Sequence, residues 1–356
     1  MSKTIGIITA GGDCAGINAV ISAVVKVGIS KGYRFIGFKK GWEGTLSPVM
    51  SRPLELADVR GISHLGGTIL TTTNHGRFAA KVGRGESHAI DPAILQESKR
   101  NIEALGIDGL IVIGGDGSLS GASQIAELGV KIVGIPKTID NDLSTTDLTF
   151  GFSTAVSVAV DALDKIHTTA TSHGRVFLVE CMGRTAGWIT LYAGLAAGAD
   201  AILLPEFDLD LTKFVSFLEF YMQSHGSAVI AVAEGLSLNL GSQLNEKAAE
   251  NRMVGSTNNL MHMIESQYPG KFELRNVILG HTQRGGGPNA EDRVLAKQFG
   301  IAAFEAYEQG KFGQVVSLRN GQITMVPLTK DVNIVKRITR DNPLYKAAQS
   351  LGVYVN

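Results

Sequence analysis

Short apolar runs alternate with longer amphipathic stretches along most of this chain. The runs are continuously apolar, which is typical of strands covered on both faces, and the stretches between them carry apolar residues at helical spacing. The runs predict strands at 4–9, 33–38, 108–113, 131–135, 175–180, 200–204, 228–233 and 275–279. The stretches predict helices at 16–30, 92–105, 152–168, 186–197, 211–225, 245–267 and 290–309. This order predicts an α/β fold with mostly parallel sheets flanked by helices.

The length of the chain, 356 residues, exceeds what one hydrophobic core usually supports, so we expect two lobes. No proline-rich linker separates them, and the boundary is inferred from the order of elements. We predict a larger lobe over 1–152 plus about 286–332, and a smaller lobe over 153–285 plus the C-terminal tail. From residue 313 the tail predicts a short antiparallel hairpin and a last helix.

Composition narrows the possible partners. Lysine and arginine total 33 and aspartate and glutamate total 33, so the formal charge is zero, and we expect neither nucleic acid nor a membrane as a partner. The sequence shows neither a signal peptide nor an apolar run approaching the roughly 18 residues of a membrane span. Cys14 and Cys181 lack the spacing of a disulfide or metal site, so we interpret both as small buried thiols and expect a cytoplasmic protein.

Two glycine-rich loops directly follow apolar runs. Residues 11–16 follow the first predicted strand, and residues 114–118 follow the strand at 108–113. Glycines let backbone amides approach a polyphosphate, a helix N-terminus attracts anions, and Asp116 is an oxygen ligand for a hard cation. Because ligands of open parallel sheets bind at the carboxyl ends of the strands, both loops predict a phosphate site. A plain strand-to-helix turn remains the alternative for residues 11–16.

A second pair of carboxylates follows the next strand. Asp140 and Asp142 lie in residues 136–142, after the strand at 131–135. In extended geometry they would project to the same side, roughly 6.5 Å apart. One could then accept a proton from a substrate hydroxyl while the other faces a metal. The alternative is that both aspartates only cap a turn.

Nine short motifs in a fixed order make the chain resemble the phosphofructokinase A family over about residues 3–310. They are Gly11-Gly12-Asp13, Gly66-Gly67-Thr68, the loop 114–118, the segment 136–142, Gly151-Phe152-Ser153-Thr154-Ala155, Met182-Gly183-Arg184, Pro205-Glu206, Glu234-Gly235, and residues 279–286. The resemblance implies the two-lobed phosphofructokinase fold. It also implies transfer of a phosphoryl group to the 1-hydroxyl of fructose 6-phosphate, with Mg²⁺.

The resemblance also implies roles for individual residues. The catalytic set would be Asp140 as general base, with Thr138, Asp142, Arg184 and Gly12. Mg²⁺ would be held by Asp116 and Asp142. The sugar-phosphate set would be Thr138, Asp140, Asp142, Arg175, Met182, Gly183, Arg184, Glu234, Arg275, His281 and Arg284. Taken singly, each arginine could be a surface charge and His281 a core residue.

In this reading Arg175 and Arg275 reach the 6-phosphate from a neighbouring subunit, so we expect a homo-oligomer, a dimer or tetramer. The donor set would be Gly11, Trp42, Asn74, Arg77, Gly115, Asp116, Gly117, Ser118 and Lys137. Gly117 leaves room for the α-phosphate of ATP, where pyrophosphate-dependent relatives usually have aspartate, whereas Lys137 resembles the pyrophosphate group. We favour ATP.

Other positions bear on the donor site and on regulation. Trp42 would stack on adenine, its alternative being a packing tryptophan, and Arg77 would replace a phosphate-binding arginine absent at Asn74. The bacterial effector site is poor in cations here, with Ser22, Lys26, His167 and the uncharged run 223–227, so we expect little control by ADP or phosphoenolpyruvate.

Four alternatives to an ATP-dependent phosphofructokinase remain. They are a pyrophosphate-dependent enzyme, a kinase of another ketose phosphate such as sedoheptulose 7-phosphate, a kinase of the NAD kinase or diacylglycerol kinase type, and a non-enzymatic sugar-phosphate sensor.

Overall fold

The computed structural model describes residues 3–73, 75–78, 89–238, 255–329 and 334–356. The chain divides into two compact units. Unit 1 consists of Met1–Ile139, Leu143–Thr154 and Arg284–Val335, and unit 2 consists of Asp140–Asp142, Ala155–Gln283 and Lys336–Asn356. The chain therefore passes from the first unit into the second between Ile139 and Asp140.

Unit 1 is built on a seven-stranded sheet in the order β11-β10-β5-β4-β1-β2-β3. Its strands are β1 (Thr4–Thr9), β2 (Arg34–Phe38), β3 (Ser51–Leu54), β4 (Gly109–Gly114), β5 (Ile132–Pro136), β10 (Gln314–Arg319) and β11 (Gln322–Pro327). The pairs are parallel except β2 with β3 and β10 with β11. Every residue of β1, β4 and β5 is buried, as the continuous apolar runs predict.

Helices cover both faces of this sheet. They are α1 (Ile17–Ser30), α2 (Pro92–Ala104), α3 (Asp116–Glu127) and α8 (Ala290–Glu308). α2 begins where the Asp91 side chain accepts a hydrogen bond from the Ala93 amide, with proline at the first helical position. α1 packs against α8.

Unit 2 is built on a parallel five-stranded sheet in the order β12-β7-β8-β6-β9. Its strands are β6 (Val176–Cys181), β7 (Ala201–Leu203), β8 (Ala228–Ala233), β9 (Leu274–Ile278) and β12 (Tyr354–Val355). Its helices are α4 (Phe152–His173), whose first turn belongs to unit 1, α5 (Trp188–Ala196), α6 (Leu211–His225), α7 (Ser256–Gln267) and α9 (Pro343–Ser350). Among the described residues, no helix is both long and apolar enough to cross a bilayer.

The predicted α/β fold with two mostly parallel sheets is confirmed, and β1, α6 and β8 have the predicted bounds. Among the described residues, the strands β3 and β12, the helix α3 and two 3-10 helices, Gly41–Thr45 and Gly280–Arg284, were missed. Helix α3 escaped notice because its first half, with Gly117, Ser118, Ser120 and Gly121, has weak helix propensity. The predicted helix 245–267 is observed over Ser256–Gln267, and its part before residue 255 lies outside the described residues.

Candidate functional site

Unit 1 presents three chemically distinctive segments side by side. They follow β1, β4 and β5, which are neighbours in the sheet and run parallel, so their carboxyl ends lie along one edge. This is the edge where open α/β sheets bind ligands. The segments are the glycine loop after Thr9, the start of α3, and the stretch beginning at Lys137.

The glycine loop after β1 is closely surrounded. Gly11 has φ +80°, and a Cβ there would lie 3.0 Å from Ser118 Oγ and 3.6 Å from Lys137 Nζ. A Cβ at Gly12 would lie 3.1 Å from a guanidinium nitrogen of Arg284. Glycine at both positions therefore keeps bare backbone beside two cationic side chains, an arrangement that fits a polyphosphate.

Lys137 supplies the buried cation of this edge. Only 3% of the residue is exposed, and its ammonium donates a hydrogen bond to the Gly12 carbonyl. Its backbone amide donates to the Gly114 carbonyl at 2.9 Å, which continues the β4–β5 pairing past the strand ends. A cationic side chain beside bare glycine backbone and a helix N-terminus suits a negatively charged ligand at this edge.

The segment 114–118 is not the open loop that the sequence predicts. Gly115 is the N-cap of α3, and Asp116 is already its first residue, so Gly117 and Ser118 lie in the first helical turn. No side chain caps this helix. Its free backbone amides and positive dipole end therefore remain available to a phosphate, with the half-buried Asp116 beside them as an oxygen ligand.

The predicted adenine contact is less well supported. Trp42 is 6% exposed, its ring stacks on Phe78 at 4.7 Å between centroids, and its Nε1 donates to the Ser118 carbonyl at 3.3 Å. This packing leaves little ring surface for a base. Arg77 is exposed and paired with Glu97 at 2.6 Å, so it must leave that carboxylate to bind a donor phosphate. Asn74 lies outside the described residues.

Arg284 and Thr138 also belong to unit 1. The Arg284 guanidinium donates to the Asp13 carbonyl at 3.2 Å, so it lies at the glycine loop. Thr138 is half-buried, and its carbonyl accepts a hydrogen bond from the Thr149 hydroxyl at 2.8 Å. The chain enters unit 2 two residues later, at Asp140.

In unit 2, the Asp140–Asp142 segment departs from the extended geometry that the sequence analysis assumed. Asn141 has φ +49°, a left-handed conformation that its short polar side chain tolerates, so the prediction that Asp140 and Asp142 project to the same side of an extended strand is wrong. Asp140 and Asn141 are 4% and 3% exposed, and Asp142 is half-buried. Non-glycine residues in this conformation cost energy and concentrate at functional sites.

A turn at the end of β6 carries the candidate phosphoryl-stabilising arginine. Arg184 is exposed with φ +53°, and its amide donates to Glu234 Oε1 at 2.7 Å. The Gly183 amide donates to the same oxygen at 3.2 Å. Glu234 follows β8, the neighbour of β6, so its carboxylate holds the arginine turn at the carboxyl edge of this sheet. The structure thus brings Gly183, Arg184 and Glu234 together.

Met182 directly follows β6, and His281 lies three residues beyond the end of β9, which pairs with β6. The Met182 amide donates to Gln283 Oε1 at 3.4 Å. β9 ends at Ile278, and His281 lies exposed in the 3-10 helix Gly280–Arg284 that follows it.

Arg175 and Arg275 lie at the opposite edge of this sheet. Arg175 precedes β6 and Arg275 is the second residue of β9, so both are at amino ends. Glu273 Oε1 accepts from Arg175 Nε at 2.6 Å and from Arg275 Nη2 at 2.8 Å. The length of β6 separates this pair from Arg184 by roughly 20 Å. Within one chain, these two arginines therefore do not join the Arg184 turn.

Glu273 and Lys336 are among the residues that contact the predicted site residues but were not predicted themselves. Glu273 holds the arginine pair, and Lys336 donates to Asn141 Oδ1 at 3.3 Å. The closeness of Glu273 to Arg275, two residues along the chain, is the one local signal that could have indicated the contact between them. Lys336 lies 195 residues beyond Asn141, and no sequence pattern connects them. Within the described ranges, no three His, Cys, Asp or Glu residues cluster in a way that could hold a metal.

These features together define a class. One sheet edge carries glycine backbone, a helix N-terminus and a buried ammonium, and a second sheet carries a carboxylate-anchored arginine turn. This chemistry suits phosphate binding and the stabilisation of charge on a phosphoryl group in transfer, and the class it indicates is a phosphotransferase.

Comparison with known proteins identifies the family. The family model described as phosphofructokinase matches residues 4–307, which is most of the chain. The chain is 44% identical over 353 residues to the ATP-dependent 6-phosphofructokinase of Chloroflexus aggregans, covering 99% of this chain and 97% of the relative. It is 41% identical over 357 residues to the pyrophosphate–fructose 6-phosphate 1-phosphotransferase of Streptomyces coelicolor, covering 98% and 99%. The chain belongs to the phosphofructokinase family.

Solved structures of phosphofructokinases have the same fold as this chain. A phosphofructokinase from Pichia pastoris in the T-state superposes with a TM-score of 0.78 at 31% identity over 93% of this chain. This chain spans 35% of the length of that larger one. A pyrophosphate-dependent phosphofructokinase from Nitrosospira multiformis superposes with a TM-score of 0.81 over 99% of this chain and 92% of its own, and at 18% identity it supports the fold alone.

Proposed function

We propose that this enzyme transfers the terminal phosphoryl group of ATP to the 1-hydroxyl of fructose 6-phosphate. The observation that carries the proposal is the donor edge of unit 1, where Lys137 and the first turn of α3 meet the Gly11–Gly12 backbone in a phosphofructokinase chain. The glycolytic product would be fructose 1,6-bisphosphate, and the expected cellular location is the cytoplasm.

Asp140 accepts the proton of the attacking hydroxyl late in the displacement. Arg184 stabilises charge on the transferring group, and Thr138 and the Gly12 backbone position it. Asp116 and Asp142 each offer hard oxygen ligands of the kind that Mg²⁺ takes, usually one or two carboxylates plus donor phosphates. When bound, Mg²⁺ would neutralise charge on those phosphates.

The donor assignment depends on Gly117. It lies in the first turn of α3, among the free amides, and its lack of a side chain permits a nucleotide α-phosphate. Pyrophosphate is the second candidate, because a relative named for that donor is 41% identical and one named for ATP is 44% identical. The position of Lys137 suits either donor.

The sugar-phosphate site requires an oligomer. We assign sugar-phosphate binding in one chain to Glu234, Met182, Gly183, Arg184, His281 and Arg284. Arg175 and Arg275 lie at the far edge of their own sheet, which supports their donation to a neighbouring subunit. Two guanidinium groups held on one carboxylate leave a net positive site suited to a phosphate dianion.

Mixing two inactive variants tests this sharing. Arg275→Ala removes the donated group and Asp140→Asn removes the base, so co-refolded hybrids should regain activity at sites that combine intact halves. A mixture that stays inactive, or a fully active monomer in sedimentation, would remove the shared site.

Control by ADP or phosphoenolpyruvate is expected to be weak. Ser22 is 2% exposed and its hydroxyl donates to the Val59 carbonyl at 2.9 Å, so it offers nothing to an effector. Sigmoidal kinetics relieved by ADP would contradict this.

Parallel turnover assays test the proposed function. Purified protein is given fructose 6-phosphate or sedoheptulose 7-phosphate, each with ATP or pyrophosphate, and Asp140→Asn is compared with Asp164→Asn, an exposed aspartate on α4. We expect Asp140→Asn to lower kcat by roughly 10²-fold or more, while fructose 6-phosphate still binds in calorimetry. Full activity of this variant would remove the base assignment, and binding without turnover in the wild type would favour a sensor.

A further inference from the structure

A C-terminal segment, residues 334–338, runs beside the Asp140–Asp142 segment. The Lys336 amide donates to the Asp142 carbonyl at 2.6 Å. On the unit 1 side, Leu143 and Val335 form an antiparallel bridge, and the Ser144 amide donates to the Ile334 carbonyl at 3.2 Å. Residues from the end of the chain thus follow the candidate base segment in β-type pairing.

The other side of this segment is anchored to α5. The Lys336 carbonyl accepts from Trp188 Nε1 at 2.7 Å, and the Lys336 ammonium lies 5.4 Å from the centroid of the same ring. Glu206 Oε1 accepts from the Ile338 amide at 3.2 Å and from the Gly187 amide at 2.9 Å. Trp188 and Gly187 begin α5, so a rigid element holds the segment in place.

The side chain of Lys336 reaches the residue that sets the geometry of the base segment. Its Nζ donates to Asn141 Oδ1 at 3.3 Å. Asn141 is the left-handed residue between the two aspartates, and it is 3% exposed. A strained conformation persists only where its surroundings enforce it, and a charged donor is a stronger restraint than a neutral one.

We propose that Lys336 is a positioning residue for the general base: through Asn141 and the Asp142 backbone it holds Asp140–Asp142 in the reactive geometry. The proposal rests on the proposed function, in which Asp140 is the base. Its role is to act through Asn141 rather than by binding the substrate.

The test compares Lys336→Met with Lys336→Arg. Methionine keeps much of the length over Trp188 and the backbone bond to Asp142, but it removes the donor to Asn141. We expect kcat to fall about 10-fold to 100-fold, the scale of a misplaced catalytic group, with the KM for fructose 6-phosphate within about threefold. Arginine restores a charged donor and should recover most of kcat. Lys346→Met, which removes an exposed lysine of α9 paired with Asp341 at 2.9 Å, is the matched control and should leave both constants unchanged.

Hydrogen–deuterium exchange of peptides covering 138–142 gives a readout that does not depend on activity. Exchange there should be faster in Lys336→Met than in the wild type or Lys346→Met, at an unchanged melting temperature. An unchanged kcat with unchanged exchange overturns the proposal, and a rise in KM without loss of kcat overturns it in favour of direct substrate binding. An inactive wild type whose exchange still depends on Lys336 would refute the proposed function and leave the positioning contact in place.

Discussion

Gly235 offers the sharpest test of whether the Arg184 turn must keep its position. A Cβ at residue 235 would lie 1.7 Å from the Arg184 carbonyl oxygen and 2.9 Å from its carbonyl carbon. A carbon and a carbonyl oxygen require roughly 3.3 Å, so in Gly235→Ala one backbone must move by roughly 1.6 Å. Both neighbours are backbone atoms, and no flexible side chain can relieve the contact by changing rotamer.

This displacement should affect catalysis more than folding. Moving the turn breaks the bonds from the Gly183 and Arg184 amides to Glu234, at 3.2 and 2.7 Å, and carries the guanidinium with it. Because a misplacement of about 1 Å can cost 10²-fold in rate, we expect kcat to fall about 10²-fold or more. The overpacking should cost about 1–3 kcal/mol of unfolding free energy.

The assay is steady-state kinetics with ATP and fructose 6-phosphate, together with thermal or urea unfolding. Ser237→Ala, an exposed position two residues further along, is the control and should behave as wild type. A Gly235→Ala enzyme with kcat within threefold of wild type and an unchanged melting temperature would refute the reasoning, since it would show that the turn moves freely.

Two further predictions concern the donor site and the thiols. Gly117→Asp should reduce kcat/KM for ATP roughly 100-fold or more through like-charge repulsion. It should leave pyrophosphate use much less affected, because aspartate in the first turn of α3 is compatible with the helix. An unchanged ratio of ATP to pyrophosphate use would show that this position does not decide the donor. Burial raises the pKa of the Cys14 and Cys181 thiols to about 12, so neither should react with iodoacetamide at pH 8 in the native state, and both should react in urea. Rapid labelling of either in the folded protein would contradict its buried position.

Much of the carboxyl edge of the unit 1 sheet was predictable from local pattern. Continuous apolar runs identified β1, β4 and β5, and parallel pairing implies that the segments following them share an edge. The glycines at 11 and 12 indicated a close approach, which the positions of Lys137 and Arg284 explain. The start of α3 was missed because glycine and serine weaken the helical signal.

The geometry of the Asp140–Asp142 segment and the packing of Trp42 were less predictable, because one backbone angle and several contacts between distant residues determine them. The sequence shows two aspartates around Asn141, but its left-handed conformation could not be read from the pattern. Trp42 could equally well have faced a base or the core, and its stacking on Phe78 was decided by packing between segments distant in the chain. The contact between Lys336 and Asn141 joins residues 195 positions apart.

The sequence by itself therefore determined the α/β class, the order of most elements, the family and the types of chemical group available to the reaction. These properties can be read locally, because periodicity, strand propensity and glycine-rich turns act over a few neighbouring residues. Only the tertiary structure decided which groups meet: Glu234 with the Arg184 turn, Glu273 with Arg175 and Arg275, and Lys336 with Asn141. These pairings depend on strand order and on the return of the C-terminal segment, and both are set by the burial of apolar surface across the whole fold rather than by local preference.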